Sequence, residues 1–407
     1  MKKLLSMIFN NIYFSSFYLI TSMTFITAFQ NIPGVNLLPK IALIWGGIIA
    51  LHNIFNIIKR KPNLIEYILF LFLGFTLIIN LAKYPTTDNL KSWIINLILF
   101  TAMFYIDETK SKMKLKNDLL LISYIFTLFA FVFSLISIIM YFKKNQLLIG
   151  DLQYGLTIYG ELCGVYTNPN SLGISSAISL IICLFIITSI KNNYIKTLCI
   201  LNILLQALSL ILSGCRSAYF IFIAIFAIWI LLKIGKPIYR ILLVAIPSIS
   251  ILSFIIFNST MLLKNSSGRM NLWISAFDVI KNNILFGVGN SNLIPSVTAV
   301  RETELLGIEA GGLHNMFLQL ITVNGVIAFI IFVLFIIASY ITIVKCYDNN
   351  KSNFYKNYFI ITSLVTGILL INLFESNILY IISFISILFW TYLGYLISLI
   401  KKDNQSI

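Results

Sequence analysis

Hydrophobic runs recur along almost the whole chain, and they constrain its fold more than any other feature. Each run has about 17 to 25 residues, which is enough to cross the ~30 Å hydrocarbon core of a bilayer as a helix. Because lipid satisfies no backbone hydrogen bonds, such runs must form helices or a closed barrel. The Leu/Ile/Phe blocks do not alternate at every second residue, as barrel strands do. The sequence therefore predicts an all-α polytopic membrane protein.

The composition agrees with this fold class. Of the 407 residues, 59% are hydrophobic and 11% are charged, whereas soluble domains carry roughly 25% charged residues. The net charge of +15 does not indicate nucleic-acid binding, because basic residues gather in the cytoplasmic loops of membrane proteins and no soluble basic domain is present. The five cysteines stand singly, without a C-x-x-C pair, so they indicate neither a zinc site nor a redox pair.

We predict twelve membrane spans in one integral membrane domain, residues 1–407. With the N-terminus inside, nineteen of the 29 basic residues fall in inner segments, so the positive-inside bias favours cytoplasmic termini. The N-terminal segment shows no small-residue cleavage site, and we expect a cytoplasmic lead rather than a removed signal peptide. The predicted spans are 14–30, 37–58, 64–82, 91–106, 119–142, 171–190, 197–213, 217–234, 241–257, 316–344, 358–374 and 378–399.

The longest polar interruption is the segment 258–315, which separates predicted spans nine and ten on the extracytoplasmic side. It holds two of the chain's five arginines and, where the chain re-enters the membrane, His314. Ser266 or Ser267 can cap a helix here, and apolar residues follow at helical spacing. We therefore predict a short amphipathic helix whose first turn contains Arg269.

Two arginines are candidate anion-binding residues. Arg269 would lie at a helix N-terminus, where backbone N–H groups and the guanidinium together attract an anion. Arg216 lies in SGCRSA, between two spans that are too close for a true loop. A guanidinium at the bilayer edge needs an anion, and its planar fork binds phosphate through two hydrogen bonds. From the residues alone, a solvated Arg269 and an Arg216 anchored to lipid phosphate remain alternatives.

His314 is the candidate proton acceptor, because a neutral imidazole takes up a proton near pH ~7. A structural histidine at a helix start is the alternative. We expect His52, inside span two without charged neighbours in sequence, to be structural. Gly287 and Gly289 predict a turn and not a dinucleotide fingerprint. No DxD, HExxH, GxSxG or Walker pattern is present, so the sequence predicts no metal site and no cofactor.

Three segments together resemble the O-antigen ligase and Wzy-type polysaccharide polymerase superfamily. They are GVYTNPNSLG at 164–173, SGCRSAYF at 213–220, and the ordered string SGRMNLW, IKNNILFGVGNSN and HNMFLQLITVNGVIAF. The resemblance implies a GT-C-like bundle with a long outer loop between spans nine and ten. It also implies a multi-pass glycosyltransferase of the cytoplasmic (inner) membrane with an extracytoplasmic active site.

Carried onto this chain, the resemblance makes Arg216 and Arg269 the arginines that bind the donor diphosphate. It makes His314 the residue that activates the acceptor hydroxyl, with Glu161 or Glu309 as a less favoured base. The catalytic residues are then expected to be His314, Arg216 and Arg269. The expected substrate-binding residues are Arg216, Arg269, Glu161, Asn168 and Asn315.

The function expected from the resemblance is that of a polysaccharide polymerase. Such an enzyme is a metal-independent, inverting glycosyltransferase that moves a growing glycan from undecaprenyl pyrophosphate to a lipid-linked repeat unit. An O-antigen ligase with lipid A–core as acceptor is one alternative. A transporter or flippase of lipid-linked oligosaccharides is another, although polar or broken helices near the midplane would then be expected. The implied partners are the undecaprenyl-pyrophosphate-linked donor and acceptor, the bilayer and a chain-length regulator protein, but no nucleic acid.

Overall fold

The computed structural model describes residues 7–150, 152–235, 268–301, 305, 308 and 312–405. Within these ranges the chain is a bundle of helices with one small sheet. The helices are α1 (Asn11–Phe25), α2 (Leu38–Arg60), α3 (Leu64–Lys83), α4 (Thr87–Ile98), α5 (Lys112–Phe142), α6 (Pro169–Ser189), α7 (Asn193–Ser213), α8 (Phe220–Lys233), α9 (Arg269–Asn282), α10 (Leu293–Ala299), α11 (Met316–Asn349), α12 (Lys351–Asn357), α13 (Phe359–Ile371) and α14 (Phe384–Gln405). The strands are β1 (Gln146–Ile149), β2 (Leu152–Leu156) and β3 (Leu162–Gly164).

Seven helices of the described ranges are long and apolar enough to cross a membrane, or eight if the bent pair α12 and α13 forms one span. The seven are α2, α3, α5, α6, α7, α11 and α14. A mostly helical, multi-pass membrane protein is thus confirmed. Predicted spans one, four and eight fall on the shorter helices α1, α4 and α8, and predicted span nine, 241–257, lies outside the described residues. The count of twelve spans and the GT-C-like arrangement stay predictions.

The core of the bundle surrounds Trp390 of α14, which is fully buried. Its indole packs against five phenylalanine rings with centroid distances of 4.6 to 6.4 Å. The indole Nε1–H donates to the carbonyl of Ile378 at 3.0 Å, so the ring is buried without an unpaired polar atom. The five rings are Phe100, Phe104, Phe332, Phe335 and Phe389.

One end of the bundle is joined by ion pairs between helix termini. Arg60 at the end of α2 pairs with Glu66 in the first turn of α3. Lys401 near the end of α14 pairs with Glu108, in the segment between α4 and α5, at 2.9 Å. These contacts bring together basic segments that the sequence analysis assigns to one side of the membrane. The identity of that side stays a prediction.

The loop between α5 and α6 contains a three-stranded antiparallel sheet that the sequence analysis did not predict. Gly155 and Gly164 face each other across β2 and β3. A Cβ at Gly164 would lie 1.9 Å from Oγ of Ser137 on α5, and its φ is 60°. Only glycine therefore lets the sheet lie directly on α5 and lead the chain into α6.

The segment from α9 to the start of α11 has a hydrophobic core of its own, which we call the loop core. Gly268 is the N-cap of α9, with φ 82° and no side-chain capping bond. Arg269 is therefore the first residue of the helix, while the expected capping serines, Ser266 and Ser267, lie outside the described residues. The loop core consists of Leu272, Ala276, Val279, Val288, Leu293, Val297, Leu305, Ile308, Leu313, Leu318 and Val323.

The helix α11 is broken at Gly325, whose φ of 78° and ψ of 175° are not helical. A break frees backbone groups that a bilayer cannot satisfy. The chain after α9 satisfies them: the N–H of Val288 donates to the carbonyl of Thr322 at 2.9 Å, and the N–H of Val326 donates to Ile284 at 2.8 Å. The loop core is thereby fixed to the bundle through the broken helix.

Replacing Gly325 by alanine should destabilise the fold, because a Cβ there would lie 2.1 Å from the carbonyl oxygen of Leu285 at an unfavourable φ. We expect a loss of about 2–4 kcal/mol, measured as a fall in the midpoint of thermal unfolding in detergent. The matched control is Gly47→Ala on α2, where a Cβ would meet no atom within 4 Å. Equal midpoints for the two variants would contradict the proposed attachment.

Candidate active site

Two of the three segments that carry the family resemblance lie against each other at the start of α6. A Cβ on Gly173 of α6 would lie 2.3 Å from the Cβ of Cys215, in the break between α7 and α8. A Cβ on Gly214 in that break would lie 3.2 Å from a carboxylate oxygen of Glu161. Because Gly173 and Gly214 carry no side chains, the chain around GVYTNPNSLG can lie in direct contact with SGCRSAYF.

Arg216 lies in the same break, directly before the 3₁₀ helix Ser217–Tyr219. It is exposed, and within the described ranges no carboxylate lies at ion-pairing distance from it. Burial raises the pKa of the neighbouring Cys215 thiol, and the charge of Glu375 raises it further while that of Arg269 lowers it. The segment that contains Arg216 lies beside the Glu375 turn, because the ring of Phe220 stacks on that of Phe374 at a centroid distance of 4.9 Å.

Glu375, in the turn between α13 and α14, is the residue on which the site converges. Its side chain is 8% exposed, and Oε1 accepts hydrogen bonds from the guanidinium of Arg269 at 3.1 Å and the amide of Asn170 at 3.2 Å. Oε2 lies 3.4 Å from Nδ1 of His314. A buried carboxylate needs such partners, since leaving it unpaired costs several kcal/mol. All three resemblance segments therefore meet at or beside this side chain.

The backbone at His314 has a positive φ of 47°, which non-glycine residues adopt rarely and mainly where the surrounding structure holds them. The preceding carbonyl, that of Leu313, accepts a hydrogen bond from Nε1 of Trp273 at 2.9 Å. The following N–H, that of Asn315, donates to Oγ of Ser376 at 3.0 Å. The helix α9 and the Glu375 turn thus fix the position of His314 from both sides.

The remaining predicted site residues make local contacts. Oδ1 of Asn168 caps α6 by accepting from the N–H of Ser171 at 2.8 Å, and Oδ1 of Asn315 caps α11 by accepting from Leu318 at 3.0 Å. Their roles in substrate binding, and that of Glu161, stay predictions. Glu309 lies outside the described residues.

The contacts of His52 agree with a structural residue. Its Nε2 lies 3.0 Å from the amide of Asn56, and its ring packs on Phe9 at a centroid distance of 4.6 Å. No group of three or more His, Cys, Asp or Glu side chains within the described ranges is arranged to hold a metal ion.

Sequence reasoning missed Glu375 and Asn170. A signal for Glu375 was present, because it is one of only 14 acidic residues and stands in a short polar turn between two apolar spans, where a lone acid usually has a function or a partner. Its partners were not accessible to sequence reasoning. They lie 61, 106 and 205 positions away along the chain.

A family model described as O-antigen ligase matches residues 201–333. The match begins within α7 and ends within α11, and it includes Arg216, Arg269 and His314. Residues 201–333 are therefore similar to the O-antigen ligase family, and we call them the matched segment. This finding confirms the resemblance to the O-antigen ligase and Wzy-type superfamily. The comparison with curated proteins gave no match.

The matched segment does not contain the whole site. Glu375 follows it in the chain, and Asn170 precedes it. Oε1 of Glu375 accepts one hydrogen bond from Asn170 and another from Arg269. The start of α6 and the turn after α13 therefore complete the site around the matched residues.

Replacing Trp273 by phenylalanine should loosen the segment that holds His314, because it removes the hydrogen bond to Leu313 and keeps an aromatic ring. We expect a loss of about 1 kcal/mol in stability, measured by thermal unfolding in detergent. The control is Trp229→Phe on α8, where the indole packs on Phe226. An unchanged midpoint in Trp273→Phe would show that this bond does not hold the segment.

Proposed function

We propose that this chain is a glycosyltransferase that moves a glycan from a lipid-diphosphate donor to an acceptor hydroxyl. The observation that supports it best is that Arg269 and His314, both within the segment that matches the O-antigen ligase family, share the carboxylate of Glu375. One residue offers positive charge for a leaving diphosphate, and the other offers a proton acceptor. Glycosyl transfer needs these two groups in one site.

In the proposed reaction the acceptor oxygen attacks C1 of the donor sugar, and the bond from C1 to the diphosphate oxygen breaks. The hydroxyl proton passes to the imidazole of His314. Negative charge grows on the departing lipid diphosphate, where Arg216 and Arg269 stabilise it. Because the two cations are supplied by the chain, the proposed mechanism uses no metal ion. Direct displacement inverts the anomeric carbon.

The acceptor separates two versions of this activity. We propose a polymerase, in which donor and acceptor are both undecaprenyl-pyrophosphate-linked, because the described part of the chain has no added domain that would recruit a protein acceptor. The description of the matched family favours an O-antigen ligase, with lipid A–core as acceptor, as the second candidate. Both versions use the same donor chemistry at the same residues.

We propose that the site faces the extracytoplasmic side of the cytoplasmic membrane. The start of α6, the break before α8 and the Glu375 turn lie at one end of their helices, whereas the basic segments around Arg60 and Lys401 lie at the other. Basic loops favour the cytoplasm. The chain ends would then both be cytoplasmic.

Purified protein in liposomes should lengthen an undecaprenyl-pyrophosphate-linked repeat unit without ATP, as seen by gel separation and mass spectrometry of the released glycans. Transfer to lipid A–core alone would identify the ligase. Movement of the oligosaccharide across the bilayer without any lengthening or transfer would support a transporter and contradict the proposal.

The two arginines should be needed for turnover. Arg216→Ala and Arg269→Ala should each lower it roughly 30- to 1000-fold, or about 2–4 kcal/mol, because each removes a cation that stabilises the leaving group. The matched control is Arg301→Ala, whose guanidinium lies 3.8 Å from Asp278 in the same segment and should be dispensable. Unchanged turnover and donor affinity in Arg216→Ala would remove that residue from the mechanism.

His314→Ala should lower kcat by a factor on the order of 10²–10⁴, the usual contribution of a general base. The control is His52→Gln, which changes the chain's other histidine, on α2. Initial rates of glycan lengthening measure both variants. Full turnover in His314→Ala would eliminate the proposed base.

A further inference from the structure

We propose that Glu375 is a positioning residue that holds His314 in the tautomer with its proton on Nδ1. The opposite ring nitrogen, Nε2, is then unprotonated and takes the proton of the acceptor hydroxyl. This inference rests on the proposed function and adds to it a residue outside the matched segment.

The division of contacts between the two carboxylate oxygens supports this role. Oε1 accepts from Arg269 and Asn170, whereas Oε2 lies 3.4 Å from Nδ1 of His314. The two bonds to Oε1 fix the rotation of the carboxyl group and leave Oε2 directed to the imidazole. An ionised carboxylate only accepts hydrogen bonds, so the ring nitrogen facing it must carry the proton.

The tautomer decides whether His314 can act as a base. The hydrogen bond made by one ring nitrogen determines which of the two carries the proton. A carboxylate that faces Nδ1 places the proton on Nδ1. The imidazole side chain is 19% exposed, so it is not sealed from an incoming acceptor. When Nε2 takes the proton, the carboxylate of Glu375 also stabilises the positive charge that forms on the ring, as in other base–carboxylate pairs.

The variant Glu375→Gln separates this role from a general effect on the fold. The Gln Oε1 can keep both bonds to Arg269 and Asn170, but an NH₂ group replaces Oε2. That group donates to Nδ1 and selects the tautomer with its proton on Nε2, which cannot accept another. In the serine-protease triad the corresponding acid-to-amide change costs about 10⁴ in kcat.

In the liposome assay we expect Glu375→Gln to lower kcat by a factor on the order of 10³, while the KM for the lipid-linked donor changes less than about threefold. Glu375→Asp keeps two acceptor oxygens and should retain more turnover than Glu375→Gln. The matched control is Asp278→Asn, which makes the same acid-to-amide change on α9, where Asp278 pairs with Lys281 at 2.9 Å, and should keep full turnover.

Three outcomes would overturn the inference. The first is full kcat in Glu375→Gln. The second is a raised donor KM with unchanged kcat, because Glu375 would then act on Arg269 and not on His314. The third is a loss from Glu375→Gln of equal size in a His314→Asn background, where a role through the imidazole predicts no further loss.

A measurement that needs no activity separates this inference from the proposed function. The chain has only two histidines, so ¹⁵N-histidine labelling gives two imidazole signals, which His52→Gln assigns. In spectra recorded at about pH 8, the His314 shifts should show Nδ1–H in the wild type and Nε2–H in Glu375→Gln. Nε2–H in the wild type would refute the inference even if glycans are lengthened. Nδ1–H in a protein that lengthens no glycan would instead contradict the proposed function alone.

Discussion

The burial of a single carboxylate organises the site end of this molecule. Left unpaired at 8% exposure, the Glu375 side chain would destabilise the fold by several kcal/mol. Its partners come from α6, from the first residue of α9 and from the residue two positions before α11. Each of these segments must therefore reach the same point, and the close approach of Gly173 to Cys215 and the hydrogen bond from Trp273 to Leu313 help to bring them there. The contacts of Glu375 that offset the cost of burying its carboxylate are the same ones that the proposed chemistry uses.

A second group of buried polar contacts fixes the segment that carries Arg269 and His314. Oδ1 of Asn89 on α4 accepts from the N–H of Ser291 at 2.8 Å, and Oδ1 of Asn96 accepts from the N–H of Tyr380 at 2.8 Å. One bond joins α4 to the loop before α10, and the other joins it to the chain that follows Glu375. A buried polar group that loses its partner costs free energy. Because each of these bonds joins two particular atoms, a shift of either segment along α4 would break it. They therefore fix the position of the loop core relative to the Glu375 turn, which apolar packing alone would not do.

The parts of the fold that were legible in the sequence are those set by local composition. Runs such as 64–82 and 119–142 are apolar over the thickness of a bilayer, and the structure has α3 and α5 there. The break in α11 was not predicted, because Gly325 is a single residue within the apolar run assigned to 316–344, and only its contact with Ile284–Phe286 forces a φ of 78°. The sheet after α5 was also hidden, since its strands have three to five residues and show no regular alternation. Arg216, Arg269 and His314 could be selected by residue type and family resemblance. The contacts that join two of them could not, because Glu375 shares no local pattern with either.

The two arginines are unequal, and the difference bears on the proposed order of events. Arg269 is 22% exposed at its side chain and already paired with Glu375, whereas Arg216 is exposed and has no such pair within the described part of the chain. In the proposed reaction, a diphosphate that approaches the site meets an uncompensated charge first at Arg216. To bind Arg269 as well, it must share or replace the Glu375 contact, and the repulsion between two anions makes sharing costly. If Arg269 turns toward the diphosphate, Asn170 still holds Oε1 of Glu375, and Oε2 keeps His314 as its partner. The carboxylate charge is then left to the ring that is about to become positive. The movement of Arg269 from Glu375 to the diphosphate would then both bind the donor and leave Glu375 to stabilise the protonated form of His314.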